Sequence, residues 1–149
     1  MSKTPYFTKD RVDRPWYLVG AEGAVLGRMA QGVAKLLIGK NRPEYTPGQD
    51  CGSFVVIVNA DKFTVTGNKW MKKKYYRHSG YPGGIRERTL EKRMDHDPEE
   101  VVRDAVKGML PQNKIGNRLI TKLKIFKGSE HCHEAQKPQE ISVDELQDL

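Results

Sequence analysis

A run of basic and aromatic residues is the part of this sequence best suited to bind a ligand. Residues 69–78, KWMKKKYYRH, carry five Lys or Arg side chains among three aromatic ones. Lysine attracts phosphate without directional preference, arginine can form paired hydrogen bonds to it, and aromatic rings can stack on exposed bases. The alternative is a solvated charged segment whose rings turn into the core. Because three consecutive lysines repel one another without an anion nearby, the pattern favours RNA binding.

A glycine-rich segment follows this run directly. Residues 80–86, GYPGGIR, hold three glycines and one proline in their first five positions, which excludes regular structure there. Glycine lacks the side chain that would keep a phosphate or a neighbouring backbone at a distance. An ordinary tight turn would explain the same residues. Because the glycine-rich segment lies beside the basic run, we expect both segments to contact the same RNA.

Signatures of catalysis are largely missing. Residues 20–27, GAEGAVLG, have the wrong spacing for a dinucleotide-binding loop, and Arg28-Met29 stands where a phosphate-binding loop needs Lys followed by Ser or Thr. His131-Cys132-His133 is the one motif that resembles metal ligands, but adjacent residues seldom all bind one ion and no fourth ligand is suitably spaced. These missing signatures count against an enzyme, and we expect no cofactor, no metal site and no small-molecule substrate.

The composition indicates a polyanionic partner. Among 149 residues, 26 Lys plus Arg stand against 19 Asp plus Glu, and the formal net charge is +7. The basic residues concentrate in 62–93 and 103–127, whereas 94–102 and 128–149 are acidic. This segregation predicts a basic face that meets phosphates and an acidic remainder in solvent.

Targeting and redox features are those expected of a cytoplasmic protein without a membrane partner. No apolar run approaches the roughly 18 residues that cross a bilayer, and residues 1–14 lack the apolar centre of a secretory signal. Cys51 and Cys132 are too few to indicate a disulfide framework. An anionic membrane surface would also suit the net charge, but nucleic acid is the simplest partner.

The elements that must position these residues alternate between strands and helices. Leu26–Leu37 has helical periodicity and is followed by Gly39, while Asp97–Met109 begins with a capping pattern and ends before Pro111. Segments with strand character are Trp16–Val19, Phe54–Val58, Phe63–Thr66 and Leu123–Lys127. This order predicts an α/β three-layer sandwich, in which helices cover both faces of one small central sheet of about four strands, with an extended basic arm.

Several blocks together resemble the bacterial type of the large-subunit ribosomal protein L-thirteen family. They occur in the same order and at similar spacing from about Trp16 to Pro138, and their combination is very specific. The most characteristic are YRHSGYPGG at 76–84 and AVKGMLP at 105–111. Others are LGR at 26–28, YTP at 45–47, TGNK at 66–69 and LKIF at 123–126. Ser53, Asn117 and Cys132 depart from the residues common in the family.

The resemblance implies a largely parallel central sheet and binding to large-subunit ribosomal RNA. It also implies contacts with neighbouring large-subunit proteins and support of early subunit assembly. The residues it implies as RNA-facing in the basic and glycine-rich segments are Lys69, Lys72, Lys73, Lys74, Arg77, His78, Tyr81, Gly83, Gly84 and Arg86. A second set after the two helices comprises Lys40, Arg42, Lys114, Arg118 and Lys122.

We accordingly interpret residues 1–149 as one ribosomal-protein domain. Within it, 1–14 form a polar leader, 15–138 a globular core that binds ribosomal RNA, and 139–149 an acidic C-terminal tail at the surface. Two other functions stay open on the sequence. A nucleotide-binding α/β enzyme would share the alternating elements and glycine-rich loops, and an RNA-binding regulator acting away from the ribosome would share the composition.

Overall fold

A four-stranded parallel sheet forms the centre of the computed structural model, which describes residues 6–7 and 12–148. Its strands are β1 (Trp16–Gly20), β2 (Phe54–Val58), β5 (Leu123–Ile125) and β6 (Gln139–Ile141), in the order β5-β2-β1-β6. The register of the central pair places Trp16 opposite Phe54 and Gly20 opposite Val58. The predicted α/β class with a small parallel sheet is confirmed.

The apolar strand β2 occupies the position that its composition predicts. It lies between β1 and β5, and four of its five residues, FVVIV, are buried. A strand with hydrogen-bonded neighbours on both edges and cover on both faces has no polar environment, so apolar residues are favoured throughout. Paired residues of a parallel sheet share a face, so Val55 and Ile57 lie with Val19 in the main core.

Helix α1 (Leu26–Ile38) covers this main core. Its buried residues include Met29, Val33 and Leu37, which recur at helical spacing. The helix ends where the sequence predicts, because Gly39 adopts a left-handed conformation with φ of 81° and its N–H binds the Lys35 carbonyl. A Cβ on Gly39 would also lie 2.7 Å from the carbonyl oxygen of Cys51.

Helix α4 (Pro98–Met109) packs beside α1, and its predicted bounds are close to the observed ones. Pro98 stands in the first turn, where backbone N–H groups have no acceptor within the helix, so its lack of an N–H costs no hydrogen bond. The predicted capping box is wrong. The side chain of Asp97 makes no capping hydrogen bond, and Glu100 binds Arg93 instead.

A thinner layer covers the opposite face of the sheet. There Trp16 and Phe54 stack with ring centroids 4.5 Å apart, and His133 lies 5.0 Å from Trp16. His133 immediately precedes a short 3₁₀ helix at Glu134–Gln136. The central sheet is therefore the middle of three layers, as predicted.

The predicted strand Phe63–Thr66 is wrong. Among the described residues this segment forms only an isolated bridge, between Thr64 and Val25, supported by two backbone hydrogen bonds of 2.8 and 2.9 Å to Ala24 and Leu26. Phe63 is buried, so its side chain serves the core although its backbone joins no sheet. The fourth strand of the sheet is β6.

The prediction of an acidic surface tail at 139–149 is also corrected, because this segment contains β6 and a helix that packs on the core. Strand β6 pairs with β1 throughout, and α6 (Val143–Asp148) follows it onto α1. Leu146 is fully buried beside Gly32, where a Cβ added to the glycine would lie 2.7 Å from the Leu146 Cβ. The exposed acidic residues of this segment belong to integral elements of the fold.

The basic segment forms a separate two-stranded antiparallel sheet. Strands β3 (Lys74–His78) and β4 (Ile85–Thr89) build a hairpin, which we call the basic hairpin (residues 74–89). It lies between two short helices, α2 (Lys69–Lys72) and α3 (Leu90–His96), which the sequence patterns did not reveal. A further short helix, α5 (Lys114–Leu119), follows α4. Within the described residues, no helix is long and apolar enough to span a membrane.

Candidate nucleic-acid interface

The strand register divides the basic hairpin into two chemically different faces. Arg77 lies opposite Arg86, and His78 lies opposite Ile85. Since successive residues of a strand point to opposite faces, one face carries only four side chains, and we call it the arginine face: Tyr75, Arg77, Arg86 and Arg88. The other, the aromatic face, carries Lys74, Tyr76, His78, Ile85, Glu87 and Thr89.

The arginine face is exposed and has no neutralising partner among the described residues. Arg77, Arg86 and Arg88 are all exposed, and none takes part in an ion pair with another described residue. Like charges directly opposite on neighbouring strands destabilise the pairing. Arg77 and Arg86 therefore create a site at which an anion would stabilise the hairpin.

Arg88 is a functional candidate that sequence reasoning missed. Its two-residue spacing from Arg86 was visible, but the spacing matters only once β4 is known to be a strand. Arg88 lines a shallow cleft with three residues of α3, Lys92, Asp95 and His96. The surface around Arg88 therefore continues from the hairpin onto α3, where Lys92 and His96 stand beside the acidic Asp95.

Compared with the arginine face, the aromatic face has less unbalanced charge and more exposed apolar surface. Lys74 and Glu87 form an ion pair at 3.1 Å, and this hydrogen bond raises the pKa of Lys74. Tyr76 and Ile85 are each 63% exposed, although both are large enough to contribute to a core. Tyr81, in the turn between the strands, is 77% exposed.

The backbone conformation of the turn between β3 and β4 accounts for its glycines. Gly80 and Gly83 have φ of 92° and 71°, which L side chains rarely adopt. Gly84 is half-buried, and a Cβ there would clash with the Ser79 hydroxyl and lie 2.9 Å from the Tyr81 carbonyl. The turn therefore requires glycine at these positions whether or not RNA touches them.

Arg93 holds the base of the hairpin against the body. Its guanidinium carbon lies 4.5 Å from the centroid of the Tyr75 ring, and its Nη2 binds Glu100 at 3.2 Å and Asp104 at 2.6 Å. Burial alone would lower the pKa of Arg93, but the hydrogen bonds to Asp104 and Glu100 outweigh it and the pKa is raised. Arg93 thus links β3 to α4.

The lysines that precede the hairpin are exposed at its base. Lys69 donates to the Thr66 hydroxyl at 3.2 Å, Lys72 is exposed, and the Lys73 Nζ lies 5.1 Å from the Tyr75 ring centroid. Trp70, in the same helix, is half-buried and stacks on Phe63 with centroids 6.2 Å apart. The residues predicted between Lys69 and Arg86 are therefore brought together in one projecting unit.

The second predicted set is dispersed. Lys40 is exposed directly after α1, and Lys114 and Arg118 are exposed on α5. Arg42 is half-buried, because it donates to the backbone carbonyl of Asp13 and pairs with Glu44 at 3.7 Å. Arg42 thus has a structural role, while the other three extend the basic surface away from the hairpin.

Lys122 is a correction to the predicted set. Its side chain is buried, forms an ion pair with Asp50, donates to the Gly52 carbonyl at 3.1 Å and lies 5.6 Å from the Phe54 ring centroid. Burial lowers the pKa of Lys122, and the Asp50 hydrogen bond offsets this only in part. Its location in the interior excludes Lys122 from the surface that would face RNA.

The histidines of the His131-Cys132-His133 motif pack on aromatic rings. His131 and His133 lie 6.5 and 5.9 Å from the Phe126 ring centroid, and Cys132 is exposed. The described part of the chain contains no group of three or more His, Cys, Asp or Glu residues placed to hold a metal ion.

These features define a basic α/β protein whose cationic side chains project from the surface instead of lining a deep cavity. Residues 14–132 match the family model described as Ribosomal protein L13. The chain is 52% identical over 141 residues to the large ribosomal subunit protein uL13 of Aquifex aeolicus (strain VF5), which covers 95% of this chain and 98% of that protein. Its identity to the protein of the same name from Syntrophus aciditrophicus (strain SB) is 53% over 141 residues, with 95% and 99% covered. The chain therefore belongs to the ribosomal protein L13 family, which confirms the resemblance.

Proposed function

We propose that this chain is a structural constituent of the large ribosomal subunit, located with it in the cytoplasm. It binds large-subunit ribosomal RNA through the basic hairpin and the adjacent lysines of α2, contacts neighbouring large-subunit proteins and supports early subunit assembly. It catalyses no reaction and needs no cofactor. The observation that carries this proposal is the exposed cross-strand pair Arg77 and Arg86, which has no acidic partner among the described residues.

The mechanism is electrostatic and steric. The parallel sheet and its helices form a body, and Arg93 links the hairpin to that body through Tyr75, Glu100 and Asp104. Each phosphate that a basic side chain neutralises releases condensed counterions, which favours binding. Lys114 and Arg118 on α5 and Lys40 after α1 can contact further RNA segments at the same time. Reduced repulsion then lets RNA helices approach one another, and recognition depends mainly on shape.

Sucrose-gradient fractionation of a tagged chain expressed in bacteria tests this function. The wild-type protein should sediment with large subunits. The double charge reversal Arg77→Glu with Arg86→Glu should move it towards the top of the gradient. The matched control reverses two exposed lysines outside the hairpin, Lys127→Glu with Lys137→Glu, and should sediment as the wild type does.

Two outcomes would contradict the proposal. If the wild-type chain stays at the top of the gradient, an RNA-binding regulator outside the ribosome is the better interpretation. If equilibrium dialysis shows saturable retention of ATP or NAD, the chain is a nucleotide-binding protein instead.

A further inference from the structure

We propose that the two faces of the basic hairpin bind different chemical parts of the RNA. The arginine face binds backbone phosphates, and the aromatic face stacks on unpaired bases. This inference rests on the proposed function and assigns the ligand chemistry within the same site.

The arginine face has the chemistry of a phosphate-binding surface. Its three guanidinium groups present planar arrays of donors, which match the oxygens of phosphate in pairs. The hairpin itself contributes no carboxylate to this face, because its one acidic residue, Glu87, lies on the opposite face beside Lys74. The carboxylate of Asp95 in α3 lines the cleft beside Arg88, so Arg77 and Arg86 are the stronger phosphate-binding candidates. An anion between Arg77 and Arg86, or beside them, would reduce the repulsion between these like charges.

The aromatic face has the chemistry of a stacking surface. Tyr76 and Ile85 expose most of their surface, and Glu87, the acidic residue on this face, already pairs with Lys74. Long-range attraction from this face is therefore weak, whereas its flat apolar area is available. A tyrosine ring that stacks on a base in single-stranded complexes strengthens binding by about fivefold or more, whichever base it meets.

Charge complementarity favours RNA over a protein as the occupant of the aromatic face. Residues 69–89 contain seven Lys or Arg side chains and one acidic one, Glu87, which already pairs with Lys74. An RNA strand satisfies these cations and brings bases within reach of Tyr76 and Tyr81 at once. A protein occupant would need an acidic rim around an apolar centre to bind here equally well.

The two modes of binding have different salt dependence, which makes the division measurable. Each phosphate contact contributes about 0.7–0.9 to the slope of log affinity against log salt concentration, because it releases counterions. Stacking releases none. Loss of arginines should therefore flatten the slope, whereas loss of the aromatic face should lower affinity equally at all salt concentrations.

The experiment measures binding of the full chain to a transcript of large-subunit ribosomal RNA between roughly 50 and 200 mM salt. Arg77→Gln with Arg86→Gln should reduce the slope by about 1.4–1.8, since two phosphate contacts are lost. Tyr76→Ser with Ile85→Ser should weaken binding by at least about fivefold with an unchanged slope, given the size of one stacking contact. The control Lys127→Gln with Lys137→Gln should change neither quantity. Thermal unfolding of each variant verifies that it is folded.

Chemical probing of the bases provides a second readout. Unpaired bases protected by the wild-type protein should become reactive with the Tyr76 and Ile85 variant and stay protected with the arginine variant. The inference fails if both variants flatten the slope equally, or if the aromatic-face variant binds as the wild type does. Normal RNA affinity with loss of a neighbouring protein from purified subunits would show that this face binds protein. Absence of any wild-type binding to the transcript would overturn the proposed function as well.

Discussion

At the scale of single residues, the most consequential arrangement is the buried ion pair between Lys122 and Asp50. The ammonium group is removed from water, and its partners are one carboxylate, one carbonyl and one aromatic ring. The hydroxyl oxygen of Ser53, buried in the same loop, has no hydrogen-bond partner among the described residues. Burying a charge is unfavourable unless it is paired, so the stability of this region depends on Asp50.

Substitution of Asp50 should therefore be strongly destabilising. Asp50→Asn leaves the Lys122 charge buried and unpaired, and we expect the free energy of unfolding to fall by about 3–5 kcal/mol. Addition of Lys122→Met removes that charge while keeping apolar bulk, so the double variant should recover most of the loss. Urea unfolding of the wild type, both single variants and the double variant measures the coupling. A loss below about 1 kcal/mol for Asp50→Asn would contradict the structural role of the pair.

Local clustering in the sequence was sufficient to indicate which basic residues lie together at the surface, while their contact with RNA stays a prediction. The lysines and arginines between Lys69 and Arg86 are exposed together, as their local density indicates. The prediction that Lys122 lies at the surface was wrong because its partner Asp50 is 72 positions away, so no local pattern distinguishes Lys122 from an exposed lysine. Arg88 was missed because its face is defined by cross-strand register, which only the folded hairpin establishes.

At the scale of elements, the acidic C-terminal segment shows how charge can hide a role in the core. Its acidic side chains, including Glu140 and Asp144, are exposed, and they led us to expect a solvated tail. Only a few apolar residues are needed for docking: Ile141 and Val143 pack against the core and Leu146 is fully buried. A local signal was present, since Ser142 and Glu145 exchange hydrogen bonds as a capping box at the start of α6.

Truncation of Leu146 tests whether α6 stabilises the fold. We expect Leu146→Ala to lower the free energy of unfolding by about 2–5 kcal/mol, because it leaves a cavity beside α1. The exposed Asp144→Asn, in the same helix, should cost no more than about 1 kcal/mol, which is the weakened interaction with the helix dipole. Chemical denaturation of the three proteins provides the comparison. Equal stability of Leu146→Ala and wild type would mean that α6 does not hold to the body in solution.

At the scale of the whole molecule, the alternation of strands and helices was sufficient to predict the class of fold. It was insufficient to identify the fourth strand. The composition of Phe63–Thr66 is more typical of a strand than that of β6. In the structure, however, Phe63–Thr66 lies beside the turn before α1, where Thr64 bridges Val25. Strand β6 instead pairs with the edge of β1 that β2 leaves free. Tertiary packing determines which of the two segments joins the sheet, and a local sequence pattern contains no information about that packing.

The distribution of charge over the whole molecule, more than its net value, should govern RNA binding. The hairpin offers a direct test, because Tyr75 and Arg88 lie opposite each other and can be joined by a two-residue turn. Replacement of Tyr76–Glu87 by Asn-Gly removes two arginines and one glutamate, so the formal net charge falls by only one from +7. The body should stay folded, since Tyr75, Arg93 and the central sheet are retained.

We expect this shortened chain to bind large-subunit ribosomal RNA at least about tenfold more weakly than the wild type, with a flatter salt dependence, because both phosphate contacts and stacking are lost. The single substitution Lys127→Gln lowers the net charge by the same amount at an exposed site outside the hairpin, and its affinity should stay within about twofold of wild type. Filter binding with all three proteins separates the two effects, and circular dichroism checks the fold. If both variants weaken binding equally, total charge explains the affinity and the hairpin has no special role. A large difference between them would instead locate the interaction in the twelve residues that extend beyond Tyr75 and Arg88.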